Sequence, residues 1–173
     1  GANYTGVDLS KSSLNIFSER IKVLKLNNKN NTLLESSAED LTNVPNKNYD
    51  LIYSFGVIHH TPNMKKAFDE IYKKANKKTL IKIMLYAKYS YKNFMLDITN
   101  YRYEAQKSCP VVYKVDQKDL EQLTKNKFKI IDVSQDFIFP YQIKLYKKNI
   151  YKKIKHFEYM PSKIFKTLSK KIG

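Results

Sequence analysis

Three polar stretches, each following a short apolar run, hold the residue types in this sequence that suit chemistry. Asp8 closes the apolar run 3–7. A carboxylate in that place offers two acceptor oxygens to two adjacent hydroxyls, such as those of a ribose. It equally suits a plain loop or a helix start, where the helix dipole favours an acid. Residues 37–41, Ser-Ala-Glu-Asp-Leu, combine hydroxyl and carboxylate acceptors, and also read as an ordinary acidic helix start. Residues 54–61, Ser-Phe-Gly-Val-Ile-His-His-Thr, place a glycine that permits close backbone approach ahead of His59 and His60. An imidazole titrates near neutrality and can orient a substrate or accept a proton. The plainer reading of each is a packed, hydrogen-bonded loop histidine. Adjacent histidines project in different directions and His156 is distant in the chain, which argues against a metal centre. Cys109 has no helper pattern around it and reads as a small buried thiol rather than a nucleophile.

The elements around these stretches follow from periodicity. Residues 3–7 read as a strand, and Ser10 caps a helix carrying Leu14, Phe17, Ile21 and Leu24 at helical spacing. A second strand is expected at 32–35, and a buried third at 49–54. Thr61 with Pro62 after it is a helix start signal. Met64, Ala67, Phe68, Ile71, Tyr72 and Ala75 then form one apolar face. A fourth strand is expected at 80–86, apolar enough to be central. Beyond it the spacing predicts a helix over 89–103, a loop over 104–115, a short helix capped by Asp116, and a fifth strand over 128–133 continuing toward 137–140. A mainly helical, lysine- and aromatic-rich tail over 144–171 closes the chain. Alternating strands and helices imply an α/β fold with a mostly parallel sheet.

Taken together, the stretches Y-T-G-V-D-L-S, A-E-D-L and Y-D-L-I-Y-S-F-G-V-I-H-H-T-P resemble the class I S-adenosylmethionine-dependent methyltransferases. The resemblance implies a three-layer Rossmann-like sheet and S-adenosyl-L-methionine as cofactor. It implies that Asp8, with Leu9, holds the ribose; that Ser37 and Ala38, with Glu39, edge the adenine; and that Ser54 and Phe55 flank the methionine part. His59 or His60 falls on the acceptor side, as the catalytic candidates. The family often has Asp or Asn where Ser37 stands. Tyr86, Tyr89 and residues 104–110 fall where such enzymes cover their substrate. The family's glycine-rich loop and last strand have no counterpart, and a Pro-Gly-Gly turn is replaced by residues 75–79. The expectation is one partial domain truncated at both ends, with residues 1–86 on the cofactor side and 87–173 forming a substrate-side part.

The chain has 173 residues and a net charge of +16. Arginine occurs only at 20 and 102; the remaining basic residues are lysine, beside abundant asparagine and isoleucine. Compositional bias accounts for that mix better than nucleic-acid binding does, because lysine lacks the forked donors that specific readers use. One cysteine excludes an internal disulfide and suits a reducing, cytoplasmic setting. The expected partner is a small-molecule methyl acceptor, and the basic C-terminal helices suit peripheral contact with an anionic membrane. Two rival readings are an NAD(P)-binding Rossmann oxidoreductase, which also uses an acid after its second strand, and a non-enzymatic basic module for nucleic acid or membrane.

Overall fold

The computed structural model describes residues 3–26, 31–90 and 111–134. Contacts divide the chain into two compact units, Gly1–Leu85 and Tyr86–Gly173.

In the first unit β1 (Thr5–Asp8) leads into α1 (Lys11–Val23), β2 (Thr32–Glu35) and β3 (Leu51–Phe55). A 3-10 turn (Ile58–His60), α2 (Met64–Lys74) and β4 (Leu80–Met84) complete it. β1 pairs in parallel with β2, Asp8 opposite Glu35, and β3 pairs in parallel with β4, Ser54 opposite Ile83. Parallel neighbours need a crossover between them, and α2 supplies it for β3 and β4. The expected α/β parallel architecture is therefore present, although the described strands form two-stranded ladders rather than one continuous sheet.

Local chemistry explains where the elements start and stop. Ser10 Oγ accepts Ser13 N–H and begins α1, as expected. Leu14, Phe17 and Ile21 lie half-buried along it, with Phe17 stacked 5.1 Å from Tyr4, while Leu24 falls past the helix end and is exposed. The start of α2 differs from expectation. Asn63, not Thr61, is the N-cap, its Oδ1 accepting Lys66 N–H at 3.0 Å. Thr61 Oγ1 instead donates to Ile58 O and closes the 3-10 turn, which moves the helix start two residues on.

The core of this unit gathers at the 3-10 turn and α2. Ile58, Ala67, Phe68 and Ile71 are buried with Val44, and His59 and Glu70 are buried among the polar residues. The third strand was expected to be buried throughout, yet β3 alternates. Ile52 and Ser54 are half-buried, while Leu51, Tyr53 and Phe55 are exposed. A parallel strand is buried on both faces only when layers cover both. β4 alternates in step, with Leu80 and Lys82 on the exposed side.

In the second unit β5 (Tyr86–Ala87) pairs in parallel with β6 (Lys114–Val115), and α3 (Gln117–Thr124) follows. Three expectations are corrected in this part of the chain. The run 80–86 is two strands, β4 and β5, interrupted at Leu85, and residues 114–115, expected in a loop, pair as β6. Asp116 caps α3 as expected: its side chain accepts Asp119 N–H while Asp119 accepts Asp116 N–H. The Asp119 N–H bond foremost, and then Lys88 Nζ 3.1 Å from Asp116 Oδ2, hold the Asp116 carboxyl below its ordinary range. Residues 128–133, expected as a strand, are in no strand. The chain turns at Asn126, in the left-handed region, and Ile131 and Val133 point into solvent. The expected elements at 91–103 and 137–171 lie outside the described residues, as does the loop around Cys109.

Phe68→Ala should lower stability by about 3–5 kcal/mol, since the ring is fully buried. Asn63→Ala should cost only about 1 kcal/mol, as the loss of a cap. Denaturant midpoints measured on both variants check this ordering.

Candidate functional site

Asp8 and the loop after β2 are brought side by side by the β1–β2 ladder. Asp8 stands opposite Glu35, and Ser36 N–H donates to Asp8 O at 3.1 Å. The Asp8 carboxylate is half-buried, and its Oδ1 accepts Ser10 N–H at 2.7 Å at the first turn of α1. That bond fixes the side chain at the carboxyl end of the strand, beside a helix N-terminus that favours negative charge. Leu9, next to it, is largely exposed.

The loop over 36–46 is a built turn, not an extended linker. Ser37 Oγ accepts Glu39 N–H at 3.1 Å, Asp40 N–H donates to Ser37 O, and Ser36 Oγ donates to Asp40 O. Asp40 Oδ1 accepts both the hydroxyl and the N–H of Thr42, and these bonds, the hydroxyl's foremost, hold its carboxyl below the ordinary range. Ser37, Ala38 and Glu39 are all half-buried.

Three polar bridges tie this loop to α2. Glu39 Oε1 accepts Asn63 N–H at 2.6 Å. Glu70 Oε2 accepts Leu41 N–H at 3.0 Å. Lys74 Nζ donates to Val44 O and to Asn46 Oδ1, each at 2.7 Å. Glu39, expected at the adenine edge, thus directs its carboxylate to the cap of α2. Sequence reasoning missed Asn63, Glu70 and Lys74. Periodicity gave no signal for Glu70, which falls beside the apolar face of α2 and not on it, yet is buried in the structure.

The third stretch ends β3. Ser54 is half-buried and Phe55 exposed, its ring stacked 6.2 Å from Tyr53. Gly56 follows at φ +73, a conformation that side chains rarely adopt, and its N–H points to Met84 O at 3.4 Å. The turn so formed carries His59 and His60, whose rings lie 4.2 Å apart at 47°. His59 is fully buried, whereas His60 is half-buried. The expected acceptor-side histidines therefore have different access to any substrate. Tyr86 is half-buried and Tyr89 exposed in the second unit, with Lys88 Nζ 5.7 Å from the Tyr89 ring centre.

Residues 1–81 match a family model described as a methyltransferase domain. Solved structures share the fold. YcgJ of Bacillus subtilis is 18% identical with a TM-score of 0.54, covering 69% of this chain and 49% of that one. An S-adenosylmethionine-dependent methyltransferase of Thermotoga maritima is 15% identical with a TM-score of 0.51, covering 72% and 53%. The MccD protein is 20% identical with a TM-score of 0.55, covering 98% of this chain and 72% of its own. The chain thus spans about half the length of the first two. No curated protein matches the sequence significantly. The fold is that of the class I methyltransferases. Among the described residues, no helix is long and apolar enough to cross a membrane.

Gly56→Ala should destabilise the protein by about 1–2 kcal/mol, through the positive φ. The added Cβ would lie 3.4 Å from Met84 Cε, an ordinary contact, so crowding should add little. A thermal or denaturant midpoint no lower than wild type would contradict the strain assigned to this turn.

Proposed function

We propose, from the class I methyltransferase fold and the methyltransferase-domain match over 1–81, that this chain carries the cofactor-binding part of an S-adenosylmethionine-dependent methyltransferase acting on a small molecule. One observation carries the reading. The parallel β1–β2 ladder sets Asp8 opposite Glu35, with Ser36 N–H bonded to Asp8 O, so Asp8 and the start of the Ser37–Ala38 turn share the carboxyl ends of two adjacent strands, where α/β folds hold nucleosides.

The residues fit the cofactor's adenosine half. Asp8 supplies a half-buried carboxylate for the two ribose hydroxyls, and its bond from Ser10 N–H keeps it in place. Ser37 and Ala38 offer a hydroxyl and backbone groups for the adenine edge, in a turn already closed by its own hydrogen bonds. Ser54 and Phe55 would stand beside the methionine part, with Gly56 permitting close backbone approach. When bound, the cofactor's sulfonium supplies the reactive methyl group, so the protein's work is to hold two partners in line. His60 suits the acceptor side better than His59, because it is half-buried whereas His59 is fully buried. The acceptor is a small molecule in this reading. Cytoplasmic residence, and peripheral membrane contact through the C-terminal lysine-rich segment, are parts of the same proposal.

Calorimetric titration of S-adenosylhomocysteine into the full-length protein tests it. Binding is expected, and Asp8→Ala should weaken it by about tenfold or more, each lost hydrogen bond to a charged group contributing roughly 1.5–3 kcal/mol. Asp8→Asn, which keeps an acceptor for Ser10 N–H, serves as the folded control. Binding of NADH in place of S-adenosylhomocysteine would overturn the reading in favour of an oxidoreductase. Binding only to nucleic acid or anionic vesicles, lost steeply with salt, would overturn it in favour of a basic binding module.

A further inference from the structure

We propose that Glu70 is a positioning residue for the adenosine half of the cofactor, holding the 37–41 turn in its binding shape through the backbone N–H of Leu41. The inference rests on the methyltransferase reading above and assigns a role to a buried acid that the reading itself does not use.

Glu70 is buried on α2 along with Ala67, Phe68 and Ile71, and is only 5% exposed. A carboxylate in such a place is costly unless its oxygens are bonded. Both are: Oε2 accepts Leu41 N–H at 3.0 Å and Oε1 accepts Lys73 Nζ at 2.5 Å. Lys73 reaches in from the surface, with its side chain 66% exposed. The two bonds, Lys73's foremost, keep the carboxyl below its ordinary range, against burial and the nearby Asp40 charge. Glu70 is therefore ionised and accepting at neutral pH. The loop end it grips is the one that the turn cannot hold for itself. Ser36, Ser37 and Asp40 close the turn internally, whereas Leu41 N–H is satisfied from 29 residues away. Removing the acceptor leaves a backbone donor without its partner and lets the turn relax.

Titration and amide NMR on the full-length protein separate this from the methyltransferase reading. Glu70→Ala should speed Leu41 amide exchange and weaken S-adenosylhomocysteine by about tenfold, the scale of one lost bond to a charged group. Glu70→Gln keeps an acceptor and should bind within about threefold of wild type. Lys73→Met leaves the Leu41 bond and should bind normally near neutral pH. The sign of its acid response follows from the depressed carboxyl. The bond is present above the ordinary glutamate range and is lost as pH falls through the lowered folded value, so removing Lys73 should shift the Leu41 amide titration to higher pH. If Glu70→Ala fails to fold, the other two variants still decide. Unchanged exchange at Leu41 in Glu70→Ala, an unshifted titration in Lys73→Met, or affinity lost equally in Glu70→Gln would each overturn the positioning role. Wild type that does not bind S-adenosylhomocysteine, with Leu41 behaving as described, would overturn the methyltransferase reading and leave Glu70 only as a clamp on the turn.

Discussion

The arrangement of the first unit depends on satisfying the backbone of one loop. The segment between β2 and β3 leaves its ladder at Glu35 and has no strand of its own before Leu51. A backbone that leaves a ladder must find other partners for its N–H and C=O groups. Many come from within the loop, and α2 supplies two more: Glu70 takes Leu41 N–H and Lys74 meets Val44 O, while Glu39 in return accepts Asn63 N–H at the cap of α2. Hydrogen bonds that recruit a charged group contribute more than neutral ones, and all three bridges do so. Since α2 is also the crossover between β3 and β4, the same helix that builds one ladder positions the loop leaving the other.

These bonds give so polar a segment partners for its backbone and side chains. Asp40 bonds Thr42, Ser37 bonds Glu39, and Tyr49 OH donates to Pro45 O, so the loop is closed by short-range bonds as well as by bridges. Its far end is tied down too, where Thr79 Oγ1 donates to Tyr49 O just ahead of β3. In the cofactor site proposed above, the adenine edge would be a turn already closed by its own hydrogen bonds, which would lower the ordering penalty on binding.

Much of this was legible in the sequence, for identifiable reasons. β2 was read at its observed bounds because two Leu residues between polar flanks leave one strand reading. Ser10 and Asp116 announced their helices by cap chemistry. Asp8, the 37–41 turn and the Ser54–Gly56 exit all fall at strand ends, as their residue types suggested. Two other readings went astray by competition between neighbouring signals. Thr61-Pro62 is a strong start pattern, but the 3-10 turn uses the Thr61 hydroxyl first and hands the cap to Asn63. Residues 128–133 have strand-like composition, yet composition does not supply a partner ladder. The bridges to α2 were not legible because they join residues 24 to 30 positions apart, and periodicity reports only neighbours on one element.

The second unit shows the same economy on a smaller scale: Lys88 pairs with Asp116, and Asp116 and Asp119 cap each other, so one acidic pair both starts α3 and receives the cation that follows β5. The proposed cofactor site joins the three strand exits of the first unit, two for the adenosine half and one for the methionine part. Amide chemical-shift mapping of the full-length protein with S-adenosylhomocysteine tests that most directly. Shifts concentrated at Asp8–Leu9, Ser37–Ala38 and Ser54–Gly56 are the expected result. An absence of saturable shifts there, or shifts spread instead over the exposed lysines of α2, would contradict it.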